Sequence, residues 1–471
     1  VRRFTLGNRY WTIRQTNPST CEIKFGTAGG PERAVTRPIA SAAAIDEMIA
    51  KQRAQGYVEV TSLDTAPQRY VIEENSAQAS SAADDLVERL LRARASNEVE
   101  LDEPDGDALP TFAFAPNPEL EAACRAAPDD AATWAVYRDW LVSRGDMRGE
   151  YTALLAGGST DAARALLEQH REALLGTFDE VAVMRSRQGF PLALEIAKDD
   201  PDGGNDLDEI TRDVLARPLY VFVEALRFGL AGFSDANDWR PTAEAVCDSP
   251  LAPHLRELRF DDFDHEDSEL SWVKFGDFSA LWPRLPKLQT LVIKSGAGGK
   301  LGDVELPELR RFERISGGLD RSELISIANA HWPKLEHLSI WTGSSGYGAD
   351  TLPSDLAPLL AGDRLPALRH LGIVNSELVD SVLDLLVGSK LLPRLHSLDL
   401  SKGILVDASF LVEHAAAFRH LRVIDVGENL LSPSEVARIH NALPHARVGE
   451  QREMYASDDD DDDARYVAVG E

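Results

Sequence analysis

The chain has 471 residues, with Lys+Arg 49 against Asp+Glu 78 and a formal net charge of −29 at pH 7. At roughly 150 residues per domain such a length predicts about three domains, unless part of it is a repeat array. Hydrophobic residues at 44% and charged residues at 27% exclude a wholly disordered, collagen-like or coiled-coil chain, and the acidic balance argues against whole-protein attraction to nucleic acid or anionic lipid.

Cys21, Cys124 and Cys247 are widely separated and show no CxxC spacing, so neither a disulfide framework nor a zinc knuckle is expected, and buried reduced thiols are. The sequence opens Val-Arg-Arg-Phe without an apolar stretch and small-residue cleavage site, and no run of about eighteen apolar residues follows. The expectation is a soluble cytoplasmic protein with no membrane contact.

Residues 1 to 60 read as short strands followed by one helix. Tyr10–Arg14 and Cys21–Phe25 alternate polar and apolar side chains across Asn17-Pro18-Ser19, which is hairpin chemistry. From Ser41 to Gln55, Ile45, Met48 and Ile49 recur at helical spacing, and Gly56 stands where a C-terminal cap belongs. This order, with Phe25-Gly26-Thr27-Ala28-Gly29 after the second strand and Lys51 leading to Gly56-Tyr57, resembles the WGR domain. In nucleic-acid-binding members the name-giving Trp-Gly-Arg lies on the surface that meets a DNA end. The matching positions here are Phe25, Gly26 and Thr27, which lack the guanidinium that would hold phosphate. Nine bases against five acids give this stretch +4 and leave −33 to the rest. Two readings stay open: a nucleic-acid contact through Arg14, Lys24, Phe25, Arg33 and Arg37, or a basic face used for protein or intramolecular contacts.

Residues 61 to 112 lose periodicity and gain acid, which predicts a linker, with one amphipathic helix inside it on Leu86, Leu90 and Leu91. Beyond Pro116 helical spacing returns, is punctuated by Pro128-Asp129-Asp130, and resumes through Trp134, Tyr137, Trp140 and Leu141, predicting two packed helices. Tyr137-Arg138-Asp139-Trp140-Leu141 followed by Arg144-Gly145-Asp146-Met147-Arg148-Gly149-Glu150 resembles the short bacterial repeat-companion domain. That resemblance implies a scaffold role beside a repeat array. Gly145 is expected at positive φ in the turn, with Asp139 and Arg144 available to pair across it.

The remaining sequence is self-similar. Leu255, Leu288, Leu335, Leu368, Leu395 and Leu421 each open an LxxLxL segment, with Ile, Val or Phe replacing some leucines; weaker copies start at Val223 and Leu309, and successive starts lie 21 to 33 residues apart. Pro286, Pro307, Pro333, Pro366 and Pro393 stand two residues before a first leucine, where they stop a helix and aim the chain into a strand. Glu323–Ala328 and Val382–Leu386 carry helical periodicity between strands. The pattern resembles the ribonuclease-inhibitor-like leucine-rich-repeat family over residues 180 to 450. The irregular core pattern and 21-residue interval at Leu309–Ile315 argue against a regular strand there.

The expected fold class is α/β: a leucine-rich-repeat solenoid, parallel strands inside and helices outside, preceded by a small α+β WGR-like domain and a short helical domain. The expected boundaries are 1–60, 61–112 for the linker, 113–178, 179–450 for the array and 451–471 for an acidic, solvated tail containing Asp458–Asp463.

Residues between the leucines alternate onto the concave face, where a protein partner is expected to bind. The candidates are Glu257, Arg259, Asp261, Lys294, His337, Trp341, His370, Asp399 and Asp425, with Val292 and Val374 on the same face. Trp341 is the anchor candidate, because rigid aromatics are over-represented among binding hot spots; the alternative is that it packs on a loop of its own array. His337 and His370 lie one repeat apart without a third ligand, so no metal is expected. No Walker A, HExxH, GxSxG or dinucleotide GxGxxG stands in its proper context, so a non-enzymatic protein without cofactor is expected.

Overall fold

The computed structural model describes residues 114–470 apart from 115, 179, 199, 202, 234–235 and 454–464, together with the backbone of five strands within 1–60. Those strands are β1 (Arg2–Leu6), β2 (Arg9–Asn17), β3 (Thr20–Thr27), β4 (Arg33–Pro38) and β5 (Val58–Glu59). They form one antiparallel sheet in the order β4-β3-β2-β1-β5. The expected hairpin is its β2–β3 pair, which sets Trp11 opposite Phe25 and Arg14 opposite Glu22. The helix expected at 41–55, the segment 61–112 with its helix, and Asp458–Asp463 lie outside the described residues.

Five helices follow: α1 (Pro118–Ala126), α2 (Ala131–Ser143), α3 (Met147–Ala156), α4 (Thr160–Gln169) and α5 (Arg171–Leu175). Asp130 caps α2 by accepting from the N–H groups of Ala132 and Thr133. Gly145 turns the chain at φ 66°, and Gly149 lets α3 cross the backbone of α2, where a Cβ would meet Val142 and Leu141. The ion pair at this turn differs from the expectation. Arg144 lies over the Trp140 ring, while Asp146, the cap of α3, is fully buried against Arg148 with Nη2 to Oδ2 at 2.6 Å. A short polar side chain at the cap reaches the neighbouring guanidinium more directly than Asp139 does from a helix surface.

Eleven strands then stack in one sheet in strict chain order. They are β6 (Val181–Arg187), β7 (Phe190–Ile196), β8 (Ala225–Phe228), β9 (Glu257–Phe260), β10 (Thr290–Lys294), β11 (Arg311–Ile315), β12 (His337–Gly343), β13 (His370–Ser376), β14 (Ser397–Asp399), β15 (Val423–Asp425) and β16 (Ala446–Arg447). Only β6–β7 pair antiparallel; every later pairing in this sheet is parallel. Register aligns Leu226, Leu258, Leu291, Phe312, Leu338, Leu371, Leu398 and Ile424 into one buried row, which is the leucine-rich-repeat arrangement. No one repeat has enough apolar surface to stand alone, so each strand is held by its neighbours.

Helices return the chain at α6 (Leu207–Ala216), α7 (Arg240–Asp248), α8 (Arg321–Asn329), α9 (Pro353–Leu360), α10 (Val379–Leu386), α11 (Ser409–Glu413), α12 (Ala415–Phe418) and α13 (Pro433–Ala442). Several neighbours along the chain touch, as α6 on α7, α8 on α9 and α9 on α10. The helical periodicity noted at Glu323–Ala328 and Val382–Leu386 falls in α8 and α10, whereas between β9 and β11 the returning chain has only 3₁₀ turns, Leu270–Trp272 and Trp282–Arg284. Proline at 283 and 286 and glycine at 276 break helical continuity there, and Phe275, Phe278 and Trp282 fill the interior in place of a helix.

The irregular segment is nonetheless a regular strand. β11 pairs in register with β10 and β12, although its third core position holds Arg314 instead of an aliphatic residue. Arg314 and Glu323 are both fully buried. All five guanidinium N–H donors are satisfied: Nε (2.7 Å) and Nη2 (3.1 Å) by Glu323, Nη1 by the carbonyls of Ser295 (2.9 Å) and Ile315 (2.8 Å), Nη2 by Gly296 O (2.9 Å).

Candidate functional site

Within β9, β11 and β12 burial alternates, the leucine-type positions facing the core and the intervening ones lying on an open face. The in-register pairing turns the intervening positions into rows running across the repeats. One row reads Glu257, Thr290, Arg311, His337, His370, Ser397; the next reads Glu195, Arg227, Arg259, Val292, Glu313, Ser339, Gly372, Asp399, Asp425.

The β7–β9 end of the face is occupied with itself. Arg227 donates Nε to Asp261 (2.8 Å) and Nη1 to Glu195 (3.0 Å) and lies 3.0 Å from Asp262. Arg259 donates to Asp261 Oδ2 at 2.5 Å and stands 3.6 Å from Glu257. Asp261 is therefore an 8% exposed hinge between two guanidiniums, and although burial opposes ionisation, Arg227 and Arg259 hold its carboxyl below the usual range. Asp262 is pushed the other way, up to about 6, by burial and the neighbouring Glu195. Lys294 turns inward from its strand end, its Nζ 4.2 Å from the Phe263 ring centroid and bonded to Phe263 O. Val292 and Val374 are buried, at 0% and 3%, instead of lying free on the open face. A β-branched side chain between long polar neighbours, as Val292 is between Arg259 and Glu313, is covered by them.

The β11–β14 end is more open. His337 Nε2 lies 3.5 Å from Glu313, and its ring is 5.9 Å from that of His370. His370 is exposed, with Nδ1 2.6 Å from Ser397 Oγ. Burial, then His337 and His396, hold the His370 imidazole below its ordinary value. Burial tends to raise Glu313, but its bond to His337 and the charge of Arg311 outweigh that and keep it ionised. Trp341 is half-buried, with Lys402 Nζ 5.9 Å from its ring centroid. Asp399 and Asp425 cap their own turns by accepting from the N–H groups of Ser401 and Gly427, both at 2.9 Å. Burial and then Asp399 push the Asp425 carboxyl upward, an effect opposed by its Gly427 bond.

The structure thus brings Glu257, Arg259 and Asp261 together, and separately His337, His370 and Trp341, while Lys294 is drawn away. Arg227, Glu195, Asp262, Arg311 and Glu313 join the face without having been among the candidates. Arg311, Glu313 and Arg227 stand at the same offsets in the two weaker repeat copies and were available to that reasoning. Glu195 belongs to the β6–β7 hairpin, which carries no LxxLxL signal. Among the described residues no group of three or more His, Cys, Asp or Glu is placed to hold a metal, and no helix is long and apolar enough to cross a membrane. Arg14, Lys24, Phe25, Arg33 and Arg37 lie on β2, β3 and β4, and their side chains fall outside the described residues.

No protein-family model matches the sequence, and no curated protein matches it. Among solved structures, a Bacteroides fragilis protein from a structural-genomics programme is similar over 99% of both chains at 20% identity, with a TM-score of 0.51, which shows a shared fold. An internalin from Listeria monocytogenes matches 56% of this chain and 82% of its own at 13% identity and TM-score 0.26. Human 5T4 matches 55% and 77% at 16% identity and TM-score 0.26, a distance at which neither likeness bears on function.

Proposed function

We propose that this chain is a non-enzymatic recognition protein whose open sheet face binds a protein partner, with the contact centred on His337, Trp341 and His370. The carrying observation is the split of the face. Charges across β7–β9 are consumed by one another, whereas across β12–β13 a half-buried indole beside Lys402 and an exposed imidazole beside Ser397, His337 and His396 stay accessible. A rigid aromatic beside polar hydrogen-bonding groups is the composition of an interface hot spot. Glu257, Arg259, Asp261, Asp399 and Asp425 then serve as the polar rim, and α1–α5, read as a repeat-companion domain, close the end of the array.

The test uses a partner captured from the native cell with the full chain, then titrated against variants. Trp341→Ala is expected to weaken binding about tenfold or more, equivalent to about 1.4–3 kcal/mol, with an unchanged melting temperature. Unchanged affinity would move the interface elsewhere. Residues 1–60, read as WGR-like, supply a second contact in this proposal. Its nucleic-acid alternative rests on the +4 balance of that stretch.

A further inference from the structure

Residues 465–470 return to the array and run across the carboxyl ends of β11–β14. Tyr466 O accepts from Arg452 Nη1 (2.7 Å), Ala468 N donates to Lys402 O (2.9 Å), and Val469 N donates to Asn375 Oδ1 (2.8 Å), while Asn375 Nδ2 donates back to Val469 O. Gly470 is wedged between Gly317 and the Tyr347 ring, where a Cβ on either glycine would overlap its neighbour. Val467 is 7% exposed and Tyr466 58%.

The receiving rim is built by the repeat itself. Asn375, Lys402 and Glu428 each stand two residues past a buried aliphatic position, Ile373, Leu400 and Val426, and each has positive φ, at 50°, 66° and 52°. These left-handed residues, Asn375 near the end of β13 and Lys402 and Glu428 in the turns after β14 and β15, line the carboxyl ends of the strands with polar groups, the Glu428 carbonyl in turn accepting from Arg452 Nε at 2.6 Å. Asn375 is fully buried and gives both halves of its amide to one residue of the returning segment, as an adjacent β-strand would.

We propose that this rim is a binding site for an extended peptide main chain, and that residues 465–470 are its intramolecular ligand. All four of these hydrogen bonds engage the segment's backbone carbonyls or amides, at Tyr466, Ala468 and Val469, so they carry no side-chain preference. Selectivity comes from the buried Val467 and the glycine wedge, so a partner segment of pattern aliphatic-x-x-Gly is the kind that fits. The site lies at the strand ends, away from His337 and His370 at the strand starts and bordering Trp341 through Lys402; it rests on the bonds to residues 465–470 and does not depend on the reading of the open face.

The experiment uses the full chain with the substitution Gly470→Val, which blocks the wedge, and a fluorescent synthetic peptide of residues 465–470 followed by anisotropy. A tethered segment competes at about millimolar effective concentration. Gly470→Val is therefore expected to bind the peptide at least tenfold more tightly than the natural chain, and the further change Asn375→Gly, which tolerates the positive φ, to abolish that binding. A peptide with valine at its final position, tested on the same Gly470→Val chain, is expected not to bind. Failure of Gly470→Val to take up the peptide, equal uptake by the natural chain, or undiminished uptake of the valine peptide would each overturn the proposal.

Discussion

Arg314 occupies a position that every neighbouring repeat gives to an apolar side chain, and its tolerance there depends on complete satisfaction. Five donors meet five acceptors, and the guanidinium carbon sits 5.2 Å from the Phe275 ring centroid. Removing either partner strands a desolvated charge, so Arg314→Ala or Glu323→Ala is expected to cost about 3–5 kcal/mol in urea denaturation. Replacing both with leucine should recover part of that loss. Full recovery is not expected, because the carbonyls of Ser295, Ile315 and Gly296 would lose their donors. A single-site cost below about 1 kcal/mol would show that the pair is not sealed from water.

At the scale of the strands, three neighbouring elements share one charge network, and its titration has a definite sign. Asp262, pushed up to about 6 from 3.8, binds its proton more readily in the folded chain than in the unfolded one. Its contribution is therefore complete below about pH 4, declines as pH rises toward 6, and is absent above, a span of about 1–3 kcal/mol. His254 acts oppositely: burial, then Arg125 and Lys287, lower it to about 4, so its contribution is lost as pH falls from 6.5 toward 4. Comparing Asp262→Asn with the natural chain between pH 4 and 7 isolates the first term; parallel stability curves would refute it.

The strands themselves were legible because leucine spacing reports directly on burial, and the open-face candidates followed by offset. The partnering among them was not, since Arg227 and Glu195 belong to copies whose core signal is weak or missing. Arg314 hid β11 for the converse reason: a polar residue at a core position erases the period although the backbone is unchanged. Residues 465–470 gave no signal at all, because main-chain bonds to Asn375 and Lys402 leave no side-chain pattern to read.

For the whole molecule, charge is distributed unevenly: +4 over residues 1–60 and −33 over the remainder. If the N-terminal stretch meets nucleic acid, the isolated fragment should retard labelled DNA in a gel with strongly salt-dependent affinity, and the full chain should do so more weakly because the acidic remainder repels the phosphates. No retardation by the fragment at low salt removes the nucleic-acid reading and leaves protein recognition as its role.

The eleven-stranded sheet has two boundaries, and they are finished differently. At one, β6 runs antiparallel with register breaks at Val183/Arg185 and Arg185/Ser186, and it carries Arg185 and Arg187. At the other, β16 is only two residues long. A kinked margin whose arginines are tied to Glu224 and Asp129 offers a poor template for a stranger's backbone, and a margin that short offers almost none. Growth of the ribbon by end-to-end addition of further molecules is thereby discouraged at both extremities, which keeps an architecture made of repeats from continuing into a fibre.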